Sequence, residues 1–477
     1  MITLSLLLLP LLASLALSHP AARARASEVL VGVALVAAAL AVYEIARASG
    51  ELALLGYVRV DATSQLFLAV IDPIFLGVSV HVWGRAKATP ALREEAARFA
   101  PLALIFLAAA NAVLVANHLI VLWIALEATT LAAAPLIVRS GSAASRRASW
   151  RYLLFSSVGL GLVLLGFSCL ARAMEVVGRP PSFFLDATPL AVTGVAGVWR
   201  ALGVALVILG LGTKLGLAPM YSWLPEAYDA APAPVTALLG AVQFNCALVV
   251  LLRVAQLYRP SDGALITTEL LIMGIASMAV STLSIIATRN LRRLLAYASI
   301  NHAGVIAIGL GVGKGAGYAL LLYVISNAFI KAILFLTAGR IEAHHRTKDT
   351  TRISGLIKEL PYSGLFLMVG TFALLGFPPF GSFFGELLIL SALVSSDHMT
   401  VFAAFCVLIT VTFVATGRTI FPMIWGEARP RPDLARQTFL SASPKVAFLV
   451  TLVVLGVYIP PVVNGLILRV AASLEGP

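Results

Sequence analysis

Apolar residues run through this chain in blocks of about 20 positions, with polar and charged residues gathered into the short stretches between them. A block of that length crosses the ~30 Å hydrocarbon core of a bilayer as a helix. About fourteen blocks meet the length criterion. They lie near residues 2–18, 27–47, 60–83, 99–116, 118–138, 152–172, 199–223, 232–256, 264–288, 294–313, 317–339, 362–394, 399–421 and 446–468. Their Leu, Val, Ala and Ile runs are unbroken rather than alternating, so the backbone is satisfied only as helix, and a barrel of short strands is excluded. The pattern predicts an all-α polytopic membrane protein with no separate soluble domain. The first block, Ile2 to Ser18, is followed by small residues like a cleaved leader, but no basic residue precedes it, which favours a retained first helix.

Composition sharpens this reading. Of 477 residues, 60% are hydrophobic and 12% charged, with a mean hydropathy of +0.97. Soluble domains hold about 45–50% apolar and about 25% charged residues. Assigning basic residues to alternate loops puts roughly 23 on one side and roughly 9 on the other. The rich side carries Arg85, Lys87, Arg146, Arg147, Arg292, Arg293, Lys348 and Lys358, and is expected to be cytoplasmic in a cell inner (plasma) membrane. Both termini then lie on the opposite face. The net charge of +12 becomes topology and contact with anionic lipid, and calls for no nucleic acid. Cys169, Cys246 and Cys406 lie far apart without metal-ligand spacing, and no phosphate-cradling loop or nucleophile elbow occurs. No metal and no cofactor is expected on this chain.

Ionisable residues inside the apolar blocks are the informative ones, because each costs several kcal/mol unless it faces a cavity, a partner or a proton path. Glu127 lies in Leu-Trp-Ile-Ala-Leu-Glu-Ala-Thr-Thr, Lys214 in Leu-Gly-Thr-Lys-Leu-Gly-Leu-Ala-Pro, and Lys331 in Ser-Asn-Ala-Phe-Ile-Lys-Ala-Ile-Leu. A desolvated lysine gives up its proton more readily, and a carboxylate opposite it holds the charged form. Glu127 and Lys214 therefore read as a switchable pair. The plainer reading of Glu127 is a structural carboxylate bonded to a hydroxyl such as that of Thr129. His302 exchanges protons near neutral pH and is a candidate relay. His344 and His345 fall in a basic loop and are expected to be solvated.

Two blocks are interrupted by proline beside a charge: Pro219 and Pro225 follow Lys214, and Pro378 and Pro379 precede Glu386. Proline removes a backbone donor, so the freed groups must line protein or water. Broken helices in both halves of a transporter point to an ion site and to inverted repeats.

These residues resemble the antiporter-like subunits shared by respiratory complex I, Mrp-type cation/proton antiporters and membrane-bound hydrogenases. The resemblance covers most of the chain and is strongest over Lys214–Ala237, Asn290–Gly304, Asn327–Gly339 and Gly376–Glu386. It implies three leading helices (1–98), a five-helix unit (99–256), a second, inverted five-helix unit (257–425) and a C-terminal helix (426–477). It also implies a proton path through Glu127, Lys214, His302, Lys331 and Glu386. Two departures stand out: Asn245 and Asn327 occupy positions where many relatives carry lysine and histidine, leaving polar relays that orient water but hold no charge. Glu127-Ala-Thr-Thr-Leu and the stretch Arg346 to Pro361 look closest to the F-type component of hydrogenase-4 and formate hydrogenlyase complexes. The function implied is a proton-translocating subunit of a multisubunit oxidoreductase. Its partners would be other membrane subunits and a peripheral arm carrying the redox centres, and the ion H+ or Na+. The alternatives are a cation/proton antiporter or ion-coupled inorganic-carbon carrier without redox partners, and a structural anchor.

Overall fold

A computed structural model describes residues 2–47, 52–139, 141–186, 193–427 and 439–475. In chain order the helices are α1 (Ile2–Ala16), α2 (Pro20–Arg23), α3 (Ala26–Ala46), α4 (Ala62–Ala86), α5 (Pro90–Val115), α6 (Leu119–Ile137) and α7 (Ala143–Val176). There follow α8 (Gly194–Leu215), α9 (Trp223–Ala230), α10 (Ala233–Leu238), α11 (Phe244–Ala287), α12 (Leu291–Val312) and α13 (Gly317–His345). The last are α14 (Leu356–Glu359), α15 (Pro361–Leu374), α16 (Gly381–Ser395), α17 (Met399–Trp425), α18 (Phe439–Val457) and α19 (Pro461–Glu475). Among the described residues the strands are one two-residue pair, Leu52–Ala53 with Val58–Arg59.

Among the described residues eleven helical segments are long and apolar enough to cross a membrane, and three shorter apolar helices accompany them. The all-helical expectation is met. Details differ where proline and charge intervene. The blocks at 232–256 and 264–288 run together, because α11 continues through its 44 residues with Pro260 inside it and a kink at Asp262 (φ −126°, ψ 26°). At 1.5 Å per residue that is about 66 Å, enough for two passes. The boundary expected near residue 256 therefore falls inside a helix. The last block, expected at 446–468, is instead α18 followed by a separate α19, with Pro460 and Pro461 at the break. The blocks at 199–223 and 362–394 are each split, as their prolines require.

The two splits share a spacing. Gly216 (φ +74°) ends α8 and Gly376 (φ +66°) follows α15. Each glycine is followed three residues later by proline and six later by serine: Pro219 and Ser222, Pro379 and Ser382. A left-handed residue closing a helix favours glycine, which has no Cβ to clash. Between them α13 is buried along residues 319–338. Small residues bring the helices together. A Cβ on Gly166 would meet the Gly203 carbonyl oxygen of α8 at 2.7 Å, and one on Gly304 the Gly274 carbonyl oxygen of α11 at 2.7 Å.

Asp61 caps α4 by accepting from the Ser64 amide at 2.9 Å, and pairs with Arg253 of α11. Burial acts to raise its carboxyl, but the Arg253 guanidinium and the hydrogen bonds from Ser64 together hold it down to about 2, against an ordinary 3.8. A carboxyl lowered by folding stabilises above its unfolded value and loses that contribution as pH falls through its folded value; here the contribution is on the order of 2 kcal/mol at neutral pH. Asp61→Asn is expected to lower the thermal midpoint of the detergent-solubilised protein at pH 7. The gap to wild type should narrow below about pH 4.

Candidate ion path

Breaking a helix frees backbone groups: at the first break the Ala218 amide donates to the Ser277 hydroxyl at 2.8 Å and Trp223 Nε1 donates to the Thr213 carbonyl at 2.8 Å, and the chain is interrupted again between α9 and α10. Pro232 gives no N–H, and the Ala231 carbonyl accepts from Arg292 Nη1 at 2.7 Å and Arg139 Nη2 at 2.8 Å. Both guanidiniums also pair with Glu342, at 2.5 Å and 3.2 Å. These groups line a cavity of about 1090 Å³ together with Arg85, Pro232 and Lys348. It opens on the face where the basic residues cluster.

Lys214 occupies the last turn of α8, not mid-helix, and is 3% exposed. Its ammonium donates to the Thr130 hydroxyl of α6. Glu127, also on α6, is half-buried and accepts from Ser157 Oγ of α7 at 3.0 Å. The expected direct pair is therefore not formed. Glu127 stands within electrostatic reach of Lys214, while Thr130, one helical turn from Glu127's side of the contact, takes the hydrogen bond. The hydroxyl bound to Glu127 is that of Ser157, and Thr129 instead accepts from Gln243 Nε2 at 3.3 Å. Gln243 closes a π turn (Leu239–Gln243) and bonds Tyr152 Oη at 2.6 Å and 2.9 Å, and the Tyr152 ring lies 5.4 Å from Lys214 Nζ.

Asn245 follows the π turn and is 1% exposed. Its amide donates to the Ala241 carbonyl at 2.5 Å and its carbonyl oxygen has no hydrogen-bond partner. Lys331, on α13, faces the same turn: Nζ lies 4.0 Å from the Phe244 ring centroid and makes no hydrogen bond. Asn327 is buried one turn before it, with its carbonyl oxygen also unbonded. A buried ammonium held only by a ring face is under-satisfied, and α13's burial on every side removes any escape to the interface.

His302 and Glu386 are joined through a residue that the sequence did not single out. Tyr323 of α13 bonds His302 Nδ1 of α12, and its hydroxyl donates to Glu386 Oε1 of α16 at 3.1 Å. A tyrosine hydroxyl carries one proton. With that proton on the Glu386 side, His302 Nδ1–H donates to the tyrosine oxygen. The three form a continuous chain across α12, α13 and α16. Beside it, Asn301, His302, Thr412 and Thr416 line a cavity of about 10 Å³, close to the volume of one water. Gly376 sits against the Glu386 carboxylate, where any Cβ would collide with it. The glycine thus leaves room for the Glu386 carboxylate beside the second break.

Several further buried ionisable residues are not evident from the sequence, among them Glu44, His81, Asp72 and Lys445. Asp72 of α4 is 1% exposed and accepts from Asn111 Nδ2 at 3.3 Å; it precedes Pro73 and reads as a turn. Lys445 of α18 is fully buried, 5.0 Å from the Phe366 ring centroid, with no hydrogen-bond partner. It lies just ahead of the block expected at 446–468, because α18 starts at Phe439. His344 and His345 are not solvated: they end α13, half-buried and buried, against Glu359.

Residues 116–412 match the family described as NADH:quinone oxidoreductase/Mrp antiporter, TM. A hydrogenase-4 component F homolog from Methylacidiphilum infernorum (isolate V4) is 30% identical over 371 residues, 74% of each chain. An NADH-quinone oxidoreductase subunit N from Polaromonas naphthalenivorans (strain CJ2) is 29% identical over 399 residues, 78% of this chain and 77% of that one. In fold the chain is similar to one in the Mrp complex from Dietzia sp. DQ12-45-1b, with a TM-score of 0.87 and 22% identity over 99% of this chain and 97% of that one.

Proposed function

Because the chain belongs to the NADH:quinone oxidoreductase/Mrp antiporter membrane family, we propose that it is the proton-translocating membrane subunit of a multisubunit oxidoreductase. The observation that carries this reading is the row of buried ionisable side chains running between the two broken helices. Lys214 sits at one break, Lys331 in the centre, and His302, Tyr323 and Glu386 at the other. The hydrogenase-4 and NADH-quinone oxidoreductase relatives favour an oxidoreductase setting. Redox centres then lie on partner subunits, and the chain spans the plasma membrane about fourteen times, with both termini away from the basic face.

In this reading a change of charge near Glu127 shifts the balance at Lys214, and the altered field passes to Lys331 and then to the His302–Tyr323–Glu386 chain. Two links depend on water. The middle has only Asn245 and Asn327 as polar relays, and these orient water without carrying charge. The cavity under the Ala231 break supplies water from the basic face. At the second break no water is required between the three groups: once His302 has been protonated to its imidazolium, it gives its Nδ1 proton to the tyrosine oxygen as the hydroxyl gives its own to the Glu386 carboxylate, leaving neutral histidine, tyrosine and carboxylic acid.

Tyr323→Phe removes one oxygen and leaves the packing volume in place, which makes it a selective test of that chain. It is expected to slow redox-driven proton uptake into vesicles at least about 10-fold, with assembly unchanged. Uptake at the wild-type rate would show that the proton does not pass through Tyr323.

A further inference from the structure

Two imidazoles and a carboxylate converge where α13 ends. His345 Nε2 lies 3.6 Å and His344 Nε2 3.9 Å from the same oxygen, Glu359 Oε2. The two rings stand 4.9 Å apart at 80°. One donor atom from each of the three residues lies within 4.8 Å of the others. Neighbouring residues on a helix diverge by about 100°, so this convergence depends on the chain that follows. Arg346 takes a left-handed conformation (φ 52°) and ends the helix. The Leu291 amide then fixes the Lys348 carbonyl at 2.9 Å, and the Thr350 amide donates to the Arg289 carbonyl at 2.8 Å. Gly355 (φ 68°) starts α14, whose last residue is Glu359. The loop is thus tied at Lys348 and Thr350 to the Arg289–Leu291 segment, and the turn at Gly355 brings Glu359 back to the histidines.

We propose that His344, His345 and Glu359 bind a divalent transition-metal ion of the Zn2+ class. Two neutral imidazoles and one carboxylate are a donor set that Zn2+ takes in three-ligand sites, with water in the fourth position. A tetrahedral ion with bonds of about 2.0–2.1 Å sets its donors about 3.3–3.4 Å apart. The two imidazole–carboxylate separations of 3.6 Å and 3.9 Å exceed that spacing by about 0.2–0.6 Å, and all three donor atoms lie within 4.8 Å of one another, so rotation of the side chains closes them onto one ion. One carboxylate is too few oxygen ligands for Ca2+ or Mg2+, and imidazole nitrogens suit Zn2+, Ni2+ or Cu2+. Bound metal ties the end of the Lys331 helix to α14, and through it to α15 and the second break. The inference stands apart from the proton-path reading, since it concerns binding alone.

The test uses the full-length chain in detergent, purified through an affinity tag that contains no histidine and stripped with a chelator. Titration with Zn2+ by calorimetry should give one saturable site of micromolar or tighter affinity. Substituting Co2+ should give the intense visible bands of a tetrahedral nitrogen/oxygen site. His345→Gln and Glu359→Gln, compared at equal helical content by circular dichroism, should each weaken Zn2+ at least about 10-fold. Absence of saturable uptake by the folded wild-type chain would overturn the proposal, as would undiminished affinity in both variants. Should either variant misfold, the wild-type Co2+ spectrum decides: weak octahedral bands alone would also overturn it.

Discussion

Replacing Lys331 by methionine is expected to reduce redox-driven proton uptake about 100-fold or more, while leaving the protein as stable as wild type or more so. The two halves of this expectation come from the same geometry. Lys331 is 2% exposed, makes no hydrogen bond, and has the Phe244 ring as its close cation contact. An ammonium in that setting is costly to keep, so replacing it with an apolar side chain of similar volume is expected to be neutral or stabilising. Methionine fills nearly the same volume, so no cavity is left. A lysine retained for structure would give the reverse, a lowered melting midpoint with transport intact. Thermal unfolding in detergent beside proton uptake in vesicles separates the two.

Lys214→Arg should be equally inactive, for a different reason. Arginine keeps the positive charge and can still donate to Thr130, but it does not release a proton at any working pH. If Lys214 were needed only as a fixed charge opposite Glu127, arginine would preserve transport. The account requires release, so uptake should fall about 100-fold, with subunit assembly and partner electron transfer retained. Native electrophoresis of the complex and its electron-transfer rate supply the controls.

Much of this arrangement was legible in the residue pattern because lipid is an unforgiving solvent. Charges at Glu127, Lys214, Lys331 and Glu386 stand out against apolar blocks, and the prolines at 219 and 379 mark where helices must break. What stayed hidden depends on packing between distant segments. Tyr323 is an ordinary core aromatic until α12 and α16 bring His302 and Glu386 to its hydroxyl. Thr130 is one of two adjacent threonines, and nothing local says which of them faces Lys214. Gln243 reaches Tyr152 through a π turn that periodicity at 3.6 residues does not foresee. Lys445 lies in the second turn of α18, ahead of the uninterrupted apolar run that marks the block, and His344 and His345 sit in a basic stretch that reads as a solvated loop until the chain folds back to cover it. Asn245 keeps its weight as the uncharged centre: with its carbonyl oxygen unbonded beside a π turn, it marks where the path depends on water rather than on a side chain.

The most direct test of the central claim is the number of protons taken up per electron transferred by the purified complex in sealed vesicles, with wild-type chain and with Lys331→Met. The account predicts that electrons still flow and the proton count per electron falls. An unchanged ratio in tightly sealed vesicles would contradict it.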